Sequence, residues 1–162
     1  MRKSNRKFRL KHPNGIFQPI DAIAASQDTT PEHADGIMKP VRAALQALLD
    51  GKAGDTEYRR VGSALNVATV RAGQIGDNDA AVAVLQAASF AMLDCLRIKH
   101  AHGRYGLTGP AREAIKESID LYETILRGST PRQMYDAERE LERMLARGKT
   151  AHGAPTSAAQ GA

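Results

Sequence analysis

Residues 80–93 read AAVAVLQAASFAML, and only Gln86 and Ser89 in that run are polar. A surface helix keeps one polar side in water, so a stretch this apolar around its circumference predicts a helix enclosed by others. Asp94 and Arg97 end the run at 14 residues, short of the ~20 that a bilayer-spanning helix requires. The expected architecture is therefore all-α: a compact bundle of five longer helices around a buried central helix at about 78–102, carrying a basic N-terminal arm.

The flanking sequence is punctuated at helical intervals. Gly51, Gly76, Gly103, Gly128 and Gly148 each follow an apolar-periodic run, where a left-handed terminal residue is expected and glycine adopts it without steric cost. Starts are marked by Thr30 before Pro31, Asp55 before Glu57, Asp77, Thr108 before Pro110, and Thr130 before Pro131. Their side-chain oxygens can accept first-turn amides, and Thr130 with Gln133 fits a capping box. These signals predict helices at about 31–50, 56–75, 78–102, 111–127 and from 131 to just before Gly148. Pro40 predicts a kink in the first. The second spaces Val61, Leu65, Ala68, Ala72 and Ile75 as a narrow seam. Strand signals are absent, since β-branched residues do not gather in alternating runs. The glycine spacing invites a helical-repeat reading, but residue identities do not recur at a fixed period.

Charge is divided unevenly along the 162 residues. Arg2, Lys3, Arg6, Lys7, Arg9 and Lys11 give residues 1–15 a charge of +6 with no acid, while the remaining 17 Lys and Arg face 18 Asp and Glu, leaving 17 − 18 = −1. The net +5 belongs to an arm rather than to a body. The division expected is a flexible arm over 1–15, a helical body over 16–148 with a short apolar piece around Ile16–Ser26, and a small, polar, disordered tail over 149–162. The single cysteine, Cys95, has no partner in the chain, and the basic start runs into HPNGIFQPIDA rather than an apolar signal segment. A cytoplasmic protein without disulfides is expected.

Candidate chemistry is sparse. Cys95, His100 and His102 lie close together, but residues two apart point to nearly opposite sides of a helix and no carboxylate completes the set, so neither metal nor cofactor is assigned. Asp94 beside the apolar run reads as a buried or half-buried ion pair with an arginine of a neighbouring helix. An enzyme is not expected, because no nucleophile–base constellation accompanies Asp94. GQIGD at 73–77 and GRYGLTG at 103–109 lack the strand and the Lys-Ser/Thr of a phosphate loop and read as helix connections. Gly128-Ser129-Thr130 resembles the turn of a helix-turn-helix, with Arg132 and Gln133 where base-reading side chains sit. Glu138, Glu140 and Glu142 on the same helix argue instead for a capped helix with a solvated charged face.

The arm is the strongest functional signal. Its six cations would displace counterions from a phosphate backbone, and Phe8 could stack on a base or wedge into a groove. The leading expectation is a binding protein that engages nucleic acid or a nucleoprotein complex through Arg2, Lys3, Arg6, Lys7, Phe8, Arg9 and Lys11, with Arg132 and Gln133 as further contacts. The rival is a protein-binding inhibitor or adaptor that uses a helix face or the loop bearing Arg104, Tyr105 and Leu107; a homodimer through a helical seam is compatible with either. No membrane partner is expected.

The basic start around Arg6-Lys7-Phe8-Arg9, ALLDG at 47–51, SALNVA at 63–68 and TGPAREAIKESIDLYETIL at 108–126 followed by a short capped helix form a recognisable order. It resembles a loosely defined group of small helical proteins of proteobacterial phages, plasmids and integrated elements, some of which carry a transcriptional-regulator label. The resemblance spans about Arg2 to Arg147 and transfers no functional residue. It implies a mobile-element setting, and with it either a regulator of transcription or replication or an inhibitor of a host nucleoprotein machine, such as an anti-defence protein.

Overall fold

The computed structural model describes residues 29–76 and 79–148, and every element among them is an α-helix: α1 Pro31–Leu49, α2 Asp55–Ile75, α3 Asp79–His102, α4 Gly109–Arg127 and α5 Pro131–Ala146. The basic arm, the apolar piece at 16–26, Asp77 and the tail from 149 lie outside the described residues.

Local chemistry sets the boundaries. The Thr30, Thr108 and Thr130 hydroxyls accept the backbone N–H groups of His33, Ala111 and Gln133, satisfying donors that the first helical turn leaves orphaned. Thr130 and Gln133 close a capping box, the Gln133 side-chain oxygen accepting the Thr130 N–H at 2.8 Å. The second start falls one residue before its expected place, because Gly54 caps α2 while Glu57 accepts the Gly54 N–H at 2.8 Å. Gly51, Gly76, Gly103 and Gly148 take positive φ, whereas Gly128 has φ −88° and ends α4 without a left-handed residue. α1 continues unbroken through the exposed Pro40.

The helix at the centre is α2, not α3. α2 packs against α1, α3, α4 and α5, whereas α3 packs against α2 and α4. Small side chains explain α2's place, since Val61, Ala64, Leu65, Val67, Ala68, Val70 and Ala72 are buried on several sides of it and let neighbouring backbones approach closely. Its seam is broader than five spaced residues, and Ile75 at its end is half exposed. α3 buries Ala81, Leu85, Ala88, Ala91, Met92 and Cys95 and leaves Phe90 67% and Leu93 51% exposed. The expectation of an enclosed helix at 78–102 is thereby corrected: its apolar composition covers both the face packed on the bundle and a face open to solvent.

Two polar ties lock the helices in register. Ser118, fully buried on α4, shares its one O–H between the Ala114 carbonyl of its own helix at 2.8 Å and the Val84 carbonyl of α3 at 3.1 Å. Tyr58 of α2 donates to the Met92 carbonyl of α3 at 3.0 Å. α1 and α4 are joined at the surface by Arg42–Glu123 and by Arg127, which reaches Glu123 at 2.7 Å and Asp35 at 2.5 Å. The two guanidiniums, Arg127 first, hold the Glu123 carboxyl below the usual carboxylate range. Exposed pairs of this kind add only about 1 kcal/mol or less each.

Candidate functional site

The α4–α5 turn is anchored inward at Ser129, with Gly128 exposed and Thr130 half-buried. Ser129 is fully buried; its carbonyl accepts the Thr29 hydroxyl at 2.7 Å and its own hydroxyl accepts Arg71 Nε of α2 at 3.0 Å. α5 leaves the turn to pack chiefly on α2. Of the two residues expected to read bases there, Gln133 has its side chain engaged in the helix cap, and Arg132 is exposed, with Nε 4.0 Å from Asp136. Both lie at the outer N-terminal turn of α5. The seven arm residues, Arg2, Lys3, Arg6, Lys7, Phe8, Arg9 and Lys11, lie outside the described residues.

Part of the body's positive charge is paired with carboxylates. Arg42, Arg97, Arg127, Arg139 and Arg143 each sit in an ion pair with a carboxylate. Exposed Arg59, Arg60 and Arg104 are not in such pairs among the described residues, so the near-neutrality of the body rests on its overall balance of 17 cations and 18 acids rather than on pairing alone.

Asp94 is exposed and pairs with Arg97 of its own helix at 2.6 Å. The expected buried pair with a neighbouring helix is thus corrected: one turn of α3 carries both partners outward, where water solvates them. His100 and His102 are exposed at the end of α3 while Cys95 is buried, so the thiol and imidazoles occupy different environments. Burial raises the Cys95 thiol pKa, opposed by a backbone hydrogen bond from Gly106.

The loop after α3 also departs from its exposed-looking composition. Tyr105 is only 5% exposed; its ring stacks on Tyr58 with centroids 4.7 Å apart and planes 11° from parallel, Lys99 Nζ lies 5.1 Å from its centroid, and its hydroxyl donates to Asp55 at 2.8 Å. Burial first, and the Asp55 hydrogen bond second, push the Tyr105 phenol up to about 12. Arg104 remains exposed and Leu107 is half-buried. Glycine at 106 permits the turn, because a Cβ there would meet Ile98 at 3.0 Å.

An open groove of about 990 Å³ runs between α1 and α5 over α2. Ile37, Val41, Tyr122 and Met134 contribute apolar surface and Arg59 and Glu138 polar surface. His33 Nε2, on the α1 wall, is buried without a hydrogen-bond partner among the described residues. Burial raises the Glu138 carboxyl to about 7, helped by nearby Glu142, and burial likewise raises Tyr122 to about 12, helped by Glu138. The sequence pattern puts Glu138 among three solvated acids of α5, yet the groove wall takes it out of bulk water.

One further surface was not anticipated. Phe90 and Leu93 stand out from α3 on the side away from α2 and α4. α3 is also the one helix among the described residues long and apolar enough to cross a membrane by length and composition, with 24 residues and a mean hydropathy of 1.6 over its most apolar window. A bundle helix with an apolar outer face passes the same test.

No protein-family model, curated protein or solved structure matches this chain.

Proposed function

We propose that this chain is a small non-enzymatic binding protein that engages nucleic acid or a nucleoprotein complex through its N-terminal residues Arg2 to Lys11. The observation carrying this reading is the division of charge: six cations and no acid in the first 15 residues against a body of −1. The ion pairing of Arg42, Arg97, Arg127, Arg139 and Arg143 supports it, because those body arginines are already partnered by carboxylates. Each phosphate neutralised releases condensed counterions, so binding through the arm is steeply salt-dependent and largely independent of sequence. Arg132, exposed at the start of α5 with Asp136 4.0 Å away, is a candidate for an additional phosphate contact from the body. Within the mobile-element setting implied by the resemblance, such a protein would act as a regulator in the cytoplasm, where a lone thiol stays reduced.

A gel-shift titration with a short duplex and with a single strand tests this reading. If all six arm cations contact phosphates, the slope of log affinity against log salt approaches about −5 on duplex DNA. Deletion of residues 1–12 abolishes the shift. Affinity that survives the deletion, or that ignores salt, overturns the proposal.

The exposed Phe90 and Leu93 favour a second reading, a protein-binding inhibitor or adaptor that uses the outer face of α3. Recovery of one stoichiometric protein partner after nuclease treatment, lost on Phe90→Asp, would select it over the first.

A further inference from the structure

The outer face of α3 carries a pattern that goes beyond exposure. Asp79, Ala83, Gln86, Phe90, Leu93 and Arg97 are all exposed and follow one another at intervals of 4, 3, 4, 3 and 4 residues. That spacing makes a continuous line along a helix and is the seam by which two helices pack at a shallow crossing angle. Scattered exposed hydrophobics are ordinary on a protein surface, but a seam with an aromatic and a leucine at its middle is not scattered.

The line is also symmetric about Ala88. Positions 79 and 97, 83 and 93, and 86 and 90 are equidistant from it. We propose that the outer face of α3 is the interface for a second copy of this chain, the two α3 helices pairing antiparallel and crossing level with position 88, between Gln86 and Phe90 of the outer face. In that register Asp79 faces Arg97 of the second copy at both ends, so two carboxylate–guanidinium pairs bracket a middle of Ala83, Gln86, Phe90 and Leu93. Ala83 faces Leu93 and Gln86 faces Phe90, placing a smaller side chain against a larger one, as interdigitated packing requires. The same patch meets itself, the arrangement of a two-fold dimer. Parallel pairing would set Asp79 against Asp79, Arg97 against Arg97 and Phe90 against Phe90, so charge selects the antiparallel form.

Arg97 already holds Asp94 of its own helix at 2.6 Å. A guanidinium has five N–H donors, so it can keep that partner while receiving Asp79 of the second copy. A lipid surface fits less well. Asp79 and Gln86 lie on the midline of the face, and Leu85, Met92 and Cys95 on its back are buried against the bundle, so membrane insertion would require the bundle to open. This inference does not depend on the nucleic-acid reading; a dimer with no affinity for nucleic acid would leave it standing.

Sedimentation equilibrium of the full chain tests it. The expected mass is twice 17.5 kDa, and Phe90→Asp should return a monomer with unchanged helical circular dichroism, because that side chain is largely outside the core. Arg97→Glu should weaken association about tenfold, and adding Asp79→Arg should restore it. Register is read by cross-linking: Ala83→Cys mixed with Leu93→Cys forms a disulfide, whereas either variant alone does not, because its like thiols lie ten residues, about 15 Å, apart along the seam. A monomer up to about 100 μM, a dimer indifferent to Phe90→Asp, or cross-linking of Ala83→Cys to itself overturns the proposal. So does a monomer that cosediments with lipid vesicles through Phe90.

Discussion

The Thr29 hydroxyl donates to the Ser129 carbonyl at 2.7 Å, joining residues 100 apart and fixing the start of α1 against the α4–α5 turn. Both residues are buried, and the Thr29 N–H reaches the same carbonyl at 3.4 Å. Thr29→Val keeps the shape of the side chain and removes its donor, leaving that buried carbonyl with the longer bond. The expected cost is about 1 kcal/mol, seen as a lower urea midpoint at unchanged m-value, while Thr29→Ser should stay close to the parent. An unchanged midpoint for the valine variant would show that the contact contributes nothing net.

Tyr105 predicts a loss of stability in alkali. Its phenol is raised to about 12 by burial and by the Asp55 hydrogen bond, against about 10 in an unfolded chain. The folded state therefore retains the proton longer, and the stabilisation is complete below about pH 10 and lost as pH rises through about 12. Absorbance titration near 295 nm should show one fewer late-ionising tyrosine in Tyr105→Phe, and that variant should lose less stability between pH 10 and 12. Equal titration curves for the two proteins would refute the assignment.

The helices were legible because their ends are written in side chains. Thr30, Thr108 and Thr130 cap where their neighbours Pro31, Pro110 and Pro131 suggest, and four of five marked glycines take the left-handed conformation. Which helix sits at the centre was less legible. Average apolarity favours α3, but centrality follows from small residues distributed around α2, whose charged first turns over 55–60 dilute its average. Tyr105 and Glu138 were misplaced for a related reason: neighbours supplied by distant helices, Tyr58 and Asp55 for one and the groove wall for the other, determine burial that local composition does not display. The symmetry of the α3 seam was present in the residue spacing throughout, yet acquires meaning only once the opposite face is seen to be occupied.

Cys95 should be slow to react in the native protein. Its side chain is fully buried and burial raises the thiol pKa, so both access and thiolate fraction are low. With excess Ellman's reagent at pH 8, release of chromophore should follow opening of the bundle and accelerate sharply in denaturing urea. Full reaction within seconds in native buffer would contradict the packing of α3 on its neighbours.

Glu138 supplies a signature near neutral pH. The groove raises its carboxyl to about 7, well above the ordinary glutamate value near 4.3, so the folded state binds a proton that the unfolded chain has already released. Its contribution is fully present below about pH 4 and is lost as pH rises through about 7, with a slope of at most about 1.4 kcal/mol per pH unit for one group. Glu138→Gln keeps the shape and cannot ionise, so its stability relative to the parent should rise between pH 5 and pH 8. Paired urea titrations at those two pH values measure the difference directly; a constant gap between variant and parent would mean that the carboxyl titrates alike in both states and that the groove does not desolvate it.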